Sequence, residues 1–160
     1  MSDDPVGTLV GRNRRSGEPV FGVGSHCDSN RNGGKYDGTL GVLTALEICR
    51  LNEELRLGLP LQLVSLLEEE GSGFGVGLLG SRIVAQTIAE DELRNIRAID
   101  DGRSFWDHSE EAGYNPERWS DAVHVLDDMT GWIDPMTVTA ECVLELERLA
   151  RAAGAGRDRG

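Results

Sequence analysis

The sequence contains few cysteines, few aromatic residues and no long apolar run. Its three cysteines, Cys27, Cys49 and Cys142, are an odd number without C-x-x-C spacing, which argues against a disulfide scaffold and a thiolate zinc site. No apolar run approaches the roughly 18 residues that predict a membrane span. Residues 1–4 lack the basic and apolar parts of a secretory signal. These absences favour a cytoplasmic protein.

Positive charge is also scarce, because 16 Lys and Arg residues stand against 28 Asp and Glu residues, a formal net charge of −12. Such a chain repels phosphate backbones and anionic lipid headgroups, so nucleic acid and membranes are disfavoured as partners. The excess of carboxylates suits metal ions or simply solubility. Glycine, with 21 of 160 residues, is abundant and favours tight loops over a helix bundle. The length allows one domain, or one plus a fragment of a second.

Hydrophobic patterning predicts a βαβ unit. Short apolar runs at residues 9–11, 20–24 and 61–67 predict three strands. Between the last two, apolar residues recur at helical spacing from about residue 39 to 55. A strand, helix and strand in this order imply a parallel pair with a right-handed crossover. We therefore expect an α/β fold with three layers, α/β/α, and a largely parallel sheet.

The pattern after residue 70 is weaker. Residues 71–80 form a glycine-rich loop, and short helices are expected at 81–88, 105–112 and 117–126, with a strand end at 96–102. One clear amphipathic helix is predicted at 138–153. Its apolar stripe consists of Val138, Cys142, Leu146, Leu149 and Ala153.

Side chains that bind metals or transfer protons gather where the predicted strands end. His26 and Asp28 follow one strand, Asp37 precedes the helix, and three glutamates at 68–70 follow the next strand. Ligands bind at the carboxyl ends of parallel strands in open α/β sheets. Taken singly, each has an ordinary explanation: His26 as a surface histidine, Asp37 as a helix N-cap and the glutamates as a solvated run of charge. Together they suit zinc, manganese or cobalt, with one aspartate able to bridge two ions and a spare glutamate able to act as general base.

Four short motifs carry a resemblance to a known family. They are Gly24-Ser25-His26-Cys27-Asp28-Ser29, Asn32-Gly33-Gly34-Lys35-Tyr36-Asp37-Gly38, Glu68-Glu69-Glu70-Gly71-Ser72-Gly73-Phe74 and Gly80-Ser81-Arg82. Between about residues 4 and 133 the chain resembles the binuclear-metal amidohydrolases. This family comprises N-carbamoyl-L-amino-acid hydrolases, allantoate amidohydrolases and β-ureidopropionases, and it is related to zinc aminoacylases and carboxypeptidases.

The resemblance implies hydrolysis of the C–N bond of a small linear amide, with two divalent ions, zinc or manganese, as cofactors. It implies metal ligands at His26, Asp37 and Glu70, a general base at Glu69, and a partner that orients His26 at Asp28. The choice within the glutamate triplet follows the family's Asp-Glu-Glu pattern, with Glu68 at the Asp position.

The chain also departs from the family. Met136 stands where the register after Ile133 places a ligand histidine, and Gly73 stands where the family usually has arginine. His108 and His124 match no ligand motif and are expected to be surface residues.

We therefore expect a truncated member of this family. A partial catalytic domain spans 1–133, the remnant of a lid or dimerisation domain is a single helix at 134–153, and 154–160 is a disordered tail. With ligands missing, the metals are expected to be weakly bound or absent and the isolated chain to be a weak or inactive enzyme. The alternative is a non-catalytic fragment or degenerate gene product that acts at most as an association partner. A homodimer or other self-association is expected through the uncovered sheet edge and the apolar stripe.

Overall fold

The computed structural model of the protein describes residues 2–13 and 18–133. Its sheet has five strands in the spatial order β1-β2-β4-β3-β5. The strands are β1 (Ser2–Asp3), β2 (Leu9–Arg12), β3 (Val20–His26), β4 (Leu61–Leu66) and β5 (Met129–Ile133). Strand β3 pairs in parallel with β4 and β5, whereas β2 runs antiparallel to both β1 and β4. Four strands therefore run in one direction and β2 runs against them, so the sheet is mixed, with its parallel pairings in the part β4-β3-β5.

The predicted βαβ unit is present. Helix α1 (Thr39–Glu54) connects β3 to its parallel neighbour β4. The chain then forms α2 (Leu79–Val84), α3 (Glu90–Asn95), α4 (Phe105–Glu111) and a 3₁₀ helix (Pro116–Val125) before it enters β5. Within residues 2–13 and 18–133, no helix is long and apolar enough to cross a lipid bilayer.

The two faces of β4 form two separate cores. Leu61 and Leu63 pack with Ala45 and Ile48 of α1 on one face. Val64 belongs to a larger core on the opposite face, together with Leu79, Ile83, Leu93, Phe105, Trp106, Ala122 and Val125. Because successive residues of a strand point to opposite faces, this alternation places helices on both sides of the sheet. The three-layer arrangement is confirmed for the described residues.

Several predictions about the later part of the chain were wrong. Residues 96–102 are not a strand of the sheet, since they contribute only an isolated bridge between Arg97 and Ser104. The helix expected at 81–88 begins and ends earlier, as α2. Strand β5 and helix α3 were not predicted. The predicted helix at 138–153 and the position of Met136 lie outside the described residues.

The register of the central strands positions the candidate site. His26, the last residue of β3, lies beside Leu66, the last residue of β4. The segments that leave these two strands therefore start next to each other at the carboxyl edge of the sheet. Residues 27–37 and 67–70 are brought together there.

Candidate metal centre

His26 is buried and presents one defined nitrogen to the site. Its Nδ1 lies 2.9 Å from the main-chain oxygen of Asp28. Since a carbonyl oxygen only accepts hydrogen bonds, Nδ1 is the nitrogen that carries hydrogen in this contact. Neutral His26 therefore has its lone pair on Nε2, the form that binds metals.

Two carboxylates face Nε2 of His26. The Oδ1 atom of Asp37 is 3.8 Å away and the Oε2 atom of Glu69 is 3.5 Å away. Both distances are longer than a hydrogen bond. They are close to the roughly 3.4 Å that separates two donors bound at ~2.1 Å to one tetrahedral ion. Each carboxylate oxygen thus lies at a distance from Nε2 at which one cation could bind both atoms, although Asp37 is outside the group of mutually close ligand atoms formed by His26, Glu69 and Glu70.

Asp37 is not the N-cap of α1. Residue Gly38 holds that position, and no side chain caps the helix. The carboxylate of Asp37 is thus available to the site. Gly38 has φ +64° and ψ −56°, and a Cβ atom there would lie 2.4 Å from the imidazole of His26. Only glycine allows the loop to approach the ring this closely.

Asp28 holds the glutamate loop. Its Oδ1 accepts the backbone N–H of Glu69 at 3.1 Å, and its Oδ2 accepts that of Glu70 at 2.9 Å. We expected this carboxylate to accept a hydrogen bond from His26. Its Oδ1 is 3.5 Å from Nδ1, and the shorter contact is made by the main-chain oxygen of Asp28. Asp28 therefore contacts His26 through its backbone oxygen, while its carboxylate is engaged by two N–H groups.

Glu70 lies in a group of negative charges. Its Oε2 accepts a hydrogen bond from Nδ2 of Asn30 at 2.5 Å. A hydrogen bond with Asp37 is the main cause that raises the pKa of Glu70, followed by burial and by the charges of Asp37 and Glu69, while His26 opposes the shift. His26, Glu69 and Glu70 each offer a ligand atom within 4.8 Å of the others. A bound cation would relieve this repulsion.

Glu68 points elsewhere. Its Oε1 accepts the backbone N–H groups of Gly73 at 2.6 Å and Phe74 at 3.2 Å. Its backbone is left-handed, with φ +47°. The structure therefore brings Glu69 and Glu70 to His26 and directs the side chain of Glu68 into the following loop.

Sequence reasoning missed Asn30, although it lies between two of the motifs and its amide contacts Glu70. Sequence reasoning also identified no hydrogen-bonding partner for His108. His108 is half-buried, its Nε2 is 3.2 Å from Oδ1 of Asp101, and both lie near Asp100 in a second group of possible ligands. The spacing from Asp101 to His108 crosses the turn into α4, which no short motif describes. His124 is exposed, as expected, and its ring contacts the backbone oxygen of Asp121.

No protein-family model matches the chain. Among curated proteins, it is 33% identical to an N-carbamoyl-L-amino-acid amidohydrolase of Paenarthrobacter aurescens, over 93% of this chain and 37% of that protein. It is 39% identical to an allantoate amidohydrolase of Bacillus subtilis, over 59% of this chain and 24% of that protein.

Solved structures agree with these relatives. A hydantoinase/carbamoylase family amidase from Burkholderia ambifaria matches with a TM-score of 0.60 and 31% identity, over 71% of this chain and 29% of the amidase. The chain thus spans 29% of this amidase and 37% and 24% of the two curated relatives. By sequence and by structure, the chain is a homologue of N-carbamoyl-L-amino-acid amidohydrolases, allantoate amidohydrolases and hydantoinase/carbamoylase family amidases.

Proposed function

We propose that this chain binds divalent metal ions through His26, Asp37 and Glu70 and that its site serves the hydrolysis of linear amides. N-carbamoyl amino acids and allantoate are the proposed substrates, in line with the names of its relatives. The observation that carries the proposal is Nε2 of His26, which faces Glu69 at 3.5 Å and Asp37 at 3.8 Å, with Glu70 close by.

The donor set fits zinc or manganese. One imidazole and several carboxylates are the ligands that these ions accept in proteins. The main-chain oxygen of Asp28 fixes the tautomer of His26, as a histidine ligand requires. The crowded carboxylates supply negative charge that would be costly without a counterion. Asp37, which is near His26 and hydrogen-bonded to Glu70, would be the ligand shared by two ions.

A divalent ion bound here would act as a Lewis acid and lower the pKa of the water that attacks the amide. Glu69 is the proposed general base. Its Oε2 lies 3.5 Å from Nε2 of His26, beside the position where donors converge, and so within reach of a water molecule there. Glu69 would take the proton of that water and return it to the leaving nitrogen. Asp28 would keep Glu69 in place through its backbone N–H.

We expect weak metal binding and low turnover by this chain alone. A catalytic zinc site usually has three protein ligands. Here His26, Asp37 and Glu70 would have to be divided between two ions. The alternative proposal is a non-catalytic protein that acts at most as an association partner. The contacts of His26 favour metal binding in both cases, so turnover alone separates the two.

The test compares His26→Gln with a matched control, His124→Gln, which changes an exposed histidine outside the group of His26, Glu69 and Glu70. Zn²⁺ or Mn²⁺ should raise the melting temperature of the wild-type chain and of the control, since ligands that bind only the folded state stabilise it. The ions should leave the melting temperature of His26→Gln unchanged. Equal shifts in all three proteins would contradict the proposed site. Hydrolysis of N-carbamoyl-L-alanine by the same samples then distinguishes an enzyme from a non-catalytic protein.

A further inference from the structure

Three consecutive glutamates leave β4, and the structure gives the first one a different environment from the other two. Oε1 of Glu68 accepts two backbone N–H groups, from Gly73 and Phe74, across five and six residues of the chain. A single side-chain oxygen thus serves as the acceptor for two backbone N–H groups of the loop. The contact closes the segment 68–74 into a compact loop.

The main chain of the same segment is fixed from another side. The backbone N–H groups of Leu78, Leu79 and Gly80, at the start of α2, donate to the carbonyl oxygens of residues 69, 68 and 67. Asp28 accepts the N–H groups of Glu69 and Glu70. Glu68 adds a side-chain restraint that ties the segment to the loop beyond it.

Residue 73 is adapted to this contact. A Cβ atom on Gly73 would lie 3.0 Å from Oε1 and 3.2 Å from Oε2 of Glu68. A side chain at this position would therefore press on the carboxylate. Glycine leaves the room that the short bond of 2.6 Å from its N–H group needs.

We propose that Glu68 is a positioning residue, which holds Glu69 and Glu70 towards His26 through its bonds to Gly73 and Phe74. The inference rests on the proposed metal site. It assigns the first glutamate of the triplet to the loop and not to an ion. What matters for this role is the reach of the side chain and an oxygen at its end, whereas a role as metal ligand would require the negative charge.

Two substitutions separate reach from charge. Glu68→Gln keeps the length and an acceptor oxygen but loses the charge. Glu68→Asp keeps the charge, tolerates the left-handed backbone better, and is too short to reach both N–H groups. Glu110→Ala, at an exposed position of α4, is the control for the loss of a glutamate. Co²⁺ serves as the probe, because its visible absorption reports both binding and ligand geometry.

We expect Glu68→Gln and Glu110→Ala to bind Co²⁺ as the wild type does, with the same spectrum. Glu68→Asp should bind about 10- to 100-fold more weakly, which is the usual effect of losing a residue that orients metal ligands. Equal affinities of the two Glu68 variants, or weaker binding by Gln than by Asp, would overturn the inference.

Hydrogen exchange of the Gly73 and Phe74 amides gives a readout that does not depend on metal. Exchange should be faster in Glu68→Asp than in Glu68→Gln or the wild type. If the wild-type chain binds no Co²⁺, the proposed function fails. The amide exchange then decides on Glu68 by itself, and equal exchange in both variants would refute its role.

Discussion

Gly38 offers the sharpest test of the site geometry. The loop that carries Asp37 passes so close to His26 that a Cβ atom on residue 38 would lie 2.4 Å from the ring atoms Cε1 and Nδ1. Ordinary carbon contacts are about 3.5–4.0 Å, so an alanine would have to push the ring or the loop by about 1 Å. The backbone of Gly38 adds a second cost, because φ +64° with ψ −56° is a conformation that residues with a side chain rarely adopt.

Gly38→Ala should therefore lower the free energy of unfolding by at least ~2 kcal/mol. A strained backbone conformation contributes about 1–3 kcal/mol, and forcing an extra methyl group into a packed site contributes about as much again. The same change should weaken Zn²⁺ binding, since a misplacement of about 1 Å in a functional group costs roughly a hundredfold. Urea unfolding in EDTA and a Zn²⁺ titration of the refolded protein measure the two effects.

Gly34→Ala is the matched control. It lies in the same loop, but a Cβ atom there would meet nothing within 4 Å. Its free energy of unfolding should stay within about 0.5 kcal/mol of the wild type. If Gly38→Ala were as stable as Gly34→Ala and bound Zn²⁺ equally well, the loop could not lie against His26 as described, and the placement of Asp37 beside Nε2 would be wrong.

Three further changes probe the surrounding contacts. Glu70→Gln should stabilise the metal-free protein at pH 7 but weaken Zn²⁺ binding. The pKa of Glu70 in the folded protein is raised, above all by its hydrogen bond with Asp37. The stability that protonated Glu70 adds is therefore present below about pH 4.3 and is lost as the pH rises through the folded pKa. Thermal unfolding in EDTA across pH 4–8 measures this, and destabilisation by Glu70→Gln at pH 7 would contradict it. Asp28→Asn should lower the free energy of unfolding in urea by about 1–3 kcal/mol, because the amide NH₂ would face a backbone N–H group that the carboxylate now accepts. An unchanged urea midpoint would contradict the role of Asp28 in holding Glu69 and Glu70. Ser104→Ala should cost about 1 kcal/mol by removing the capping box of α4. Hydrogen bonds with Ser104 lower the pKa of Asp107, so the stability that this aspartate adds is lost as the pH falls through its folded pKa. In Ser104→Ala the loss of stability on acidification should therefore be smaller than in the wild type.

The central part of the fold was predictable because its signals are local and strong. The apolar run at Leu61–Leu66 and the helical period of Thr39–Glu54 each specify one element, and their order specifies the crossover. Strand β5 gave no such signal. It contains Gly131, and it forms by pairing with β3, more than 100 residues earlier in the chain. Helix α3 has only Leu93 buried among charged residues, so it shows no apolar period.

The meeting of His26, Asp37 and the glutamates was also predictable, since all three segments leave the carboxyl edge of neighbouring elements. The sequence indicated Asp28 as the residue beside His26, but it did not indicate which atom of Asp28 makes the contact. Whether the carboxylate or the main-chain oxygen of Asp28 meets Nδ1 depends on the turn after β3. In that turn the carboxylate reaches across to the N–H groups of Glu69 and Glu70 instead.

The glutamate triplet shows where sequence reasoning reaches its limit. If β4 continued through residue 70, alternation would place Glu68 and Glu70 on one face and Glu69 on the other. The strand ends at Leu66, and Glu68 adopts a left-handed conformation with φ +47°. This turn brings the next two glutamates to the same side, next to His26, and leaves Glu68 to bond Gly73 and Phe74. No periodicity in the sequence encodes a single backbone angle of this kind, so the division of roles within the triplet follows from the loop that Glu68 closes.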